Sequence, residues 1–241
     1  MASMETEQQP QQTTEQIEVK TKRVQCFIDG YNLYHAMKRL VIKLFIGLIL
    51  NLYARDTFLK MHLLIMFFWF SAKPSHLSRA INENYQNYAS ALTECGVDVI
   101  GGRFKKKNVT CEADHGCGGV FHKHEEKESD VNLAISLVSG ACNDEYDIAI
   151  IITADSDLCP PIKYVRERFP NKELWLVAPP GRIRRATDLC SLSSRSMEIN
   201  NGALRACCMR DEFYKGGVLV ARRPQEWRAV ANTKQRRARS R

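Results

Sequence analysis

The 241-residue sequence lacks the short motifs that identify several large enzyme classes. It contains no G-x-x-x-x-G-K-[ST] segment and no G-x-G-x-x-G segment, which excludes the nucleoside triphosphate and dinucleotide sites built on those loops. A G-x-S-x-G segment and an H-E-x-x-H segment are also missing, so the α/β-hydrolase elbow and the zinc-protease helix are excluded. Any chemistry of this chain must come from another kind of site.

A long uninterrupted apolar run is missing as well. Two apolar stretches occur, at 40–54 and 61–70, and Arg55, Asp56 and Lys60 separate them. Neither reaches the roughly 18 residues of a membrane-spanning helix. The first stretch is predicted to be an amphipathic helix and the second a strand buried on both faces. We therefore expect no integral membrane insertion, while core, a partner surface and a homo-oligomer interface stay open for this region.

The beginning of the chain has few large apolar residues. Residues 1–22 are rich in Gln, Thr and Glu, which predicts a disordered polar tail without the apolar core of a secretory leader. The nine cysteines are odd in number and irregularly spaced, which argues against a disulfide framework. Together these features predict a cytoplasmic protein with reduced thiols.

The positive charge is concentrated at the other end of the chain. The formal net charge is +8, and residues 222–241 contribute +7 of it, from eight Lys/Arg and one Glu. We therefore expect one nearly neutral domain at 23–200, followed by a basic and partly disordered extension at 201–241. A cationic extension of this kind favours a polyanionic partner.

Strand and helix patterns alternate through the predicted domain. Strands are predicted at 24–29, 61–70, 97–104, 146–157 and 173–180, and helices follow several of them, at 75–96, 128–141, 161–169 and 183–192. Residues 105–124 are predicted to form a loop. Such alternation is typical of an α/β fold, here a three-layer α/β/α arrangement with a mostly parallel central sheet.

Acidic side chains follow two of the predicted strands. Asp29 closes the first strand, Asp155 and Asp157 close the fourth, and Asp130 begins a predicted helix. Because ligands of parallel sheets bind at the carboxyl ends of the strands, these carboxylates are expected to meet there and to repel one another unless a cation neutralises them. The pattern predicts a Mg²⁺ or Mn²⁺ site for phosphodiester hydrolysis. The alternative is that each aspartate only caps a turn or a helix.

Four segments match the motifs of one known family, in that family's order. They are FIDGYNLYH (27–35), EEKESDVNLAISLV (125–138), ITADSDLCPPIKYVRERF (152–169) and LVAPPGR (176–182). In this order they resemble the NYN domain, and more narrowly its LabA-like branch among the PIN-like nucleases. The resemblance implies a PIN-like fold and a metal-dependent ribonuclease. Its catalytic and metal-binding acids would be Asp29, Asp130, Asp155 and Asp157.

The resemblance also implies polar groups beside the acids. Asn32 matches the Asn of the family's DG-x-N motif, which implies a role in orienting water or phosphate. Thr153 and Ser156 lie in the predicted turn after the fourth strand, where each either hydrogen-bonds a phosphate or only stabilises the turn.

Basic residues further along the chain are candidates for contacts with an RNA backbone. Arg103 and Lys105 lie near the predicted loop, and Arg182 follows the APPG turn. Their charges suit phosphate binding, and a solvated charge run is the alternative.

Cysteine and histidine residues cluster in the same predicted loop. Cys111, Cys117, His122 and His124 are candidate ligands for Zn²⁺, and His115 lies between them. Their C-x5-C-x4-H-x-H spacing differs from the C-x2-C of a zinc knuckle, so adventitious thiols and imidazoles in a loop are the alternative.

The sequence as a whole predicts a ribonuclease whose partner is RNA. A non-catalytic RNA-binding or regulatory module on the same fold is the alternative, because a fold does not fix a function. The complete set of four aspartates disfavours that alternative.

Overall fold

The strands and helices follow the predicted alternation. The computed structural model describes residues 21–39, 63–111, 117–200 and 211–224. The strands are β1 (Lys22–Asp29), β2 (Leu63–Ala72), β3 (Val97–Thr110), β4 (Val120–Lys127), β5 (Ile148–Ile152), β6 (Glu173–Ala178), β7 (Arg195–Glu198), β8 (Glu212–Lys215) and β9 (Val218–Arg222). The helices are α1 (Gly30–Arg39), α2 (Arg79–Glu94), α3 (Ser129–Cys142), α4 (Cys159–Arg168) and α5 (Thr187–Leu192), with 3₁₀ turns at Ser156–Leu158 and Ile183–Arg185.

Seven strands form one sheet in the order β4-β3-β2-β1-β5-β6-β7. Every neighbouring pair is parallel except β3 and β4. Leu33 of α1 and Leu92 of α2 pack into the hydrophobic layer on one face of the sheet, and α3, α4 and α5 contribute to the layer on the other. The predicted three-layer α/β/α architecture with a mostly parallel sheet is confirmed.

The two central strands have no face in solvent. All five residues of β5 are buried, and in β1 Cys26 and Ile28 belong to one hydrophobic layer while Phe27 belongs to the other. A strand covered by helices on both sides becomes a continuous apolar run rather than an alternating one. The strands that end beside the predicted acids are therefore the elements that the sequence predicts most clearly.

The prediction of a loop over residues 105–124 is wrong for most of its length. β3 continues to Thr110 and pairs in antiparallel register with β4, with Phe104 opposite Glu126 and Lys106 opposite His124. This hairpin extends beyond Gly102, the last residue of β3 that pairs with β2. Both of its faces are largely exposed, so lysines and histidines replace the apolar alternation by which strands are recognised.

Three strands near the end of the described chain are not indicated by the sequence. β7 extends the sheet beside β6, and β8 and β9 form a separate antiparallel hairpin. That hairpin turns at Gly216 and Gly217, whose φ angles of +55° and +81° favour glycine. Lys215 pairs with Glu94 of α2 at 3.2 Å between Nζ and Oε1, which ties the hairpin to the domain.

The helix predicted at 40–54 lies outside the described residues, as do the N-terminal residues 1–20 and the basic residues 225–241. Within the described ranges, no helix is long and apolar enough to cross a membrane.

Candidate active site

The carboxyl ends of β1 and β5 lie side by side at one edge of the sheet. Ile28 of β1 pairs with Ile152 of β5, so Asp29 and Thr153 are the next residues on two adjacent strands. The chain then enters a 3₁₀ turn, which begins directly after Asp155 and leads into α4. Because β4 precedes it, β5 is the fifth strand of the chain rather than the predicted fourth.

Asp29 is held by two hydrogen bonds inside the protein. Its side chain is buried, with 3% of the residue exposed. Oδ1 accepts the backbone N–H of Asn32 at 2.9 Å, and Oδ2 accepts the hydroxyl of Thr153 at 2.8 Å. A side chain at Gly30 would overlap the ring of Trp69, so the Asp-Gly pair lets the chain turn into α1 against β2.

The turn after β5 presents two further carboxylates. The Thr153 hydroxyl, besides donating to Asp29, accepts the backbone N–H of Asp155 at 3.0 Å. Asp155 Oδ1 in turn accepts the backbone N–H of Asp157 at 3.1 Å. Thr153 is completely buried, so of its two possible roles the structure favours stabilising the turn over reaching a phosphate.

Asn32 links α1 to the same turn. Its Oδ1 accepts the backbone N–H of Ala154 at 3.3 Å. Ser156 is exposed at the first position of the 3₁₀ turn. The substrate contacts predicted for Asn32 and Ser156 stay predictions.

Burial, with a contribution from neighbouring carboxylates, raises the pKa of Asp29 and of Asp130. Burial raises the pKa of Asp29 to about 7, and the charges of Asp130 and Asp155 contribute in the same direction, against the two hydrogen bonds. At the start of α3, partial desolvation raises the pKa of Asp130, and so do the charges of Asp155 and Asp157. Among the described residues, no Lys or Arg forms an ion pair with any of these four aspartates.

Glu126 is a fifth carboxylate that the sequence reasoning missed. It lies on β4, half-buried, and its Oε1 accepts the hydroxyl of Ser129 at 2.5 Å. Burial raises its pKa, and the charge of Asp130 adds to the effect. The signal that could have found it is its position four residues before Asp130, which places it beside the acids only if residues 120–127 form a strand.

The donor set suits a hard divalent cation. All five carboxylates offer oxygen ligands, which Mg²⁺ and Mn²⁺ prefer. The pKa values of Asp29, Asp130 and Glu126 are raised by burial and by neighbouring carboxylates, and a bound cation would stabilise the ionised form of these groups. Within the described ranges, no three His, Cys, Asp or Glu side chains converge closely enough to form a ready metal cage. The acids therefore fit such an ion by chemistry and location, and they would have to draw together around it.

The predicted zinc ligands lie along the hairpin of β3 and β4. Cys111 directly follows β3 and Cys117 lies three residues before β4, while His122 and His124 lie two residues apart on β4. His122 Nδ1 is 2.8 Å from Asn108 Oδ1, and His124 stacks on His76 with ring centroids 4.2 Å apart. His115 lies outside the described residues. The zinc site stays a prediction, which metal analysis of the purified chain and of Cys111→Ser would test.

The hairpin separates the predicted phosphate contacts from the acids. Successive residues of a strand face opposite sides, so Arg103 and Lys105 lie on the face opposite to Phe104 and Glu126. The Arg103 guanidinium pairs with Glu128, with Nε and Oε1 2.6 Å apart. Arg103 and Lys105 therefore flank the site from the far side of the hairpin, and their phosphate contacts stay predictions.

Arg182 lies in the turn after β6, which ends at the same sheet edge as the acids. Its backbone N–H donates to Glu198 Oε1 at 2.8 Å. A phosphate contact by its side chain stays a prediction as well.

This geometry agrees with the comparison to known families. The NYN domain model matches residues 23–198. The chain belongs to the NYN domain family. NYN domains are PIN-like nucleases, so the acidic edge lies in a nuclease fold. Assignment of this NYN domain to the LabA-like branch stays a prediction.

Two individual proteins are similar to this NYN chain. The 6-hydroxy-3-succinoylpyridine 3-monooxygenase HspA of Pseudomonas putida is 37% identical over 87 residues, which are 35% of this chain and 28% of that protein. The chain thus spans less than a third of that relative. A crystal structure of a Vibrio parahaemolyticus protein of unknown function matches with a TM-score of 0.52 and 13% identity, covering 79% of this chain and 98% of that one. That likeness concerns the fold alone.

Proposed function

We propose that this protein is a metal-dependent ribonuclease that hydrolyses RNA phosphodiester bonds at the carboxyl end of its sheet. The observation that carries the proposal is the group of aspartates around Asp29, which have no Lys or Arg ion partner in the described part of the chain. A buried carboxyl with a pKa near 7 destabilises the folded state when it ionises. A bound cation would offset this cost, because it would stabilise the ionised carboxylates of Asp29 and the neighbouring acids.

Each acid has a distinct place in the proposed site. Asp29 and Asp155 would hold the ion from adjacent strand ends, with Asp130 and Asp157 completing the set directly or through water. A bound Mg²⁺ or Mn²⁺ would activate water and stabilise charge on the phosphate oxygens. Thr153 orients Asp29 through its hydroxyl, and the buried hydrogen bonds keep that carboxylate in place before the ion arrives.

The test is a cleavage assay on a 5′-labelled single-stranded RNA with the full chain. Cleavage is expected with Mn²⁺ or Mg²⁺ and is expected to stop with EDTA. Asp29→Asn and Asp155→Asn each remove one oxygen ligand and its charge, so each should slow cleavage by roughly 100-fold or more, given the several kcal/mol that a catalytic metal supplies.

Asp98→Asn is the matched control, because Asp98 is an exposed aspartate on β3 with no place in the site. It should cut like the parent chain. If Asp29→Asn and Asp155→Asn cut as fast as Asp98→Asn, the acidic site is not the catalytic site. If the parent chain binds RNA and cuts none, the function is that of a non-catalytic RNA-binding module.

A further inference from the structure

Five aromatic rings form a chain of ring contacts beside the acidic edge, with planes inclined by 57° to 64° in three contacts and stacked in the fourth. We call them the aromatic platform: Tyr31 and His35 on α1, His76 between β2 and α2, Phe104 on β3 and His124 on β4. Ring centroids are 4.3 Å apart for Tyr31 and His35, 6.3 Å for Tyr31 and Phe104, and 4.5 Å for Phe104 and His76. His76 and His124 stack with only 8° between their planes.

The platform adjoins Asp29 and Glu126 of the acidic edge. Tyr31 follows Asp29 by two residues, and its phenol feels the charge of Glu126, which with burial raises the pKa of Tyr31. Phe104 lies directly across from Glu126 in the hairpin. A strand lying on the platform would therefore have a phosphate within reach of the acids.

The platform is open to solvent in the described structure. Tyr31 is 39% exposed, and the other rings are half-buried or exposed. Partial burial lowers the pKa of His76, and the stacked His124 adds to the effect. His76 Nδ1 is buried and has no hydrogen-bond partner among the described residues, so the ring face is what His76 offers to a ligand.

Basic residues lie on both faces of the hairpin that carries Phe104 and His124. Lys106 lies on the same hairpin face, directly opposite His124. The other face carries five basic residues around the single acid Glu125, namely Arg103, Lys105, Lys107, Lys123 and Lys127. Of these basic residues, Lys106 alone shares the face of the rings, so a strand whose bases stack on the platform can place a phosphate on Lys106. The five basic residues on the opposite face attract the strand only through the longer-range field.

We propose that the aromatic platform stacks the unpaired bases of a single-stranded RNA whose scissile phosphate lies at the acidic edge. This inference rests on the proposed nuclease function and adds its substrate class. A duplex keeps its bases stacked on one another, so only an unpaired segment can use the platform. The rings then select single-stranded over double-stranded RNA without reading a particular sequence.

Binding can be measured apart from cleavage in the full chain carrying Asp155→Asn. Three fluorescein-labelled probes of equal length are compared by anisotropy: a mixed-sequence single-stranded RNA, the same backbone with abasic positions, and a duplex RNA. Tyr31→Ala and His76→Ala should each weaken binding of the base-bearing strand by about ten-fold, the usual effect of losing one stacking ring. Neither should change binding of the abasic strand, and Tyr31→Phe should restore the affinity.

Tyr164→Ala is the matched control, because Tyr164 is an exposed tyrosine on α4, outside the platform. It should bind all probes like the Asp155→Asn parent. The proposal is overturned if Tyr31→Ala and His76→Ala bind the base-bearing strand as tightly as Tyr164→Ala does. It is also overturned if they weaken the abasic strand equally, or if the parent binds no single-stranded RNA.

The nuclease proposal fails under different observations. A chain that binds base-bearing RNA through Tyr31 and His76 but cuts none keeps the platform and loses the catalytic assignment. A chain that cuts RNA at equal rates with and without Tyr31 and His76, and binds abasic and base-bearing strands alike, keeps the catalytic assignment and loses the platform.

Discussion

Aspartates lie at both ends of strands β1 and β5, and their surroundings differ between the two ends. At their amino ends, Arg23 binds Asp147 through its backbone N–H at 2.8 Å and through its guanidinium at 2.8 Å. Arg23 and the buried Lys172 both bind Asp144 as well. These cations lower the pKa of Asp144, and the Arg23 hydrogen bonds lower the pKa of Asp147 to about 2.

At the carboxyl ends, the aspartates form no ion pair with a Lys or Arg among the described residues. There the pKa of Asp29 rises to about 7, five units above that of Asp147 at the opposite end of the same strand pair. At the amino end, Arg23 and Lys172 balance the charges of Asp144 and Asp147. At the carboxyl end, no ion pair among the described residues balances the aspartates, and a divalent cation with a bound polyanion would do so.

The largest expected effect of this asymmetry is on the pH dependence of cleavage. Only the ionised Asp29 carboxylate can act as a metal ligand. With a pKa of about 7, its ionised fraction falls about ten-fold per pH unit below neutrality. At subsaturating Mn²⁺, cleavage should therefore be about 100-fold slower at pH 5 than at pH 8. A rate that stays constant from pH 5 to pH 8, with circular dichroism showing a folded chain, would contradict this.

The next largest effect concerns stability at the carboxyl end. The pKa of Asp29 is raised in the folded state above its ordinary value of 3.8. Between about pH 4 and pH 7 the unfolded chain releases this proton while the folded chain keeps it, so stability falls as the pH rises through that window. The shift corresponds to a penalty of about 4 kcal/mol at pH 8. Asp29→Asn removes this penalty but keeps only one of the two accepting oxygens, so it should raise the free energy of unfolding by about 2 kcal/mol.

The gain should shrink towards pH 4, where the Asp29 carboxyl is protonated in the folded protein. Urea denaturation of both chains at pH 8 and pH 5 measures it. Mn²⁺ supplies the control, because an ion that binds only the folded parent stabilises it and should narrow its difference from Asp29→Asn. A less stable Asp29→Asn at pH 8 without metal would show that hydrogen bonding, not charge burial, dominates at this position.

The acidic edge was easier to predict from the sequence than the elements around it. Asp29 and Asp155 end strands that are buried on both faces, so the apolar runs before them located the edge without a structure. Glu126 was not predicted from the sequence, because β4 is largely exposed on both faces and its polar sequence does not show the alternation of a strand. The aromatic platform was not predicted for a related reason. Its rings come from segments far apart in sequence, and only the hairpin register brings Phe104 and His124 to Tyr31.

The smallest expected effect is at the amino end. The folded-state pKa of Asp147 is lowered, so its stabilisation is present above about pH 4 and is lost as the pH falls towards 2. Asp147 is partly exposed, so after solvent screening Asp147→Asn should destabilise the fold by about 1 kcal/mol at pH 7, and by less at pH 3. Urea denaturation at the two pH values checks this.

RNA cleavage by Asp147→Asn should match that of the parent chain at pH 7, because Asp147 lies at the opposite end of the sheet from the acids. This variant thus loses stability without losing activity, whereas Asp29→Asn should lose activity while gaining stability. If Asp147→Asn slowed cleavage as strongly as Asp29→Asn at a temperature where both are folded, the two ends would be coupled. The division between a structural end and a catalytic end would then be wrong.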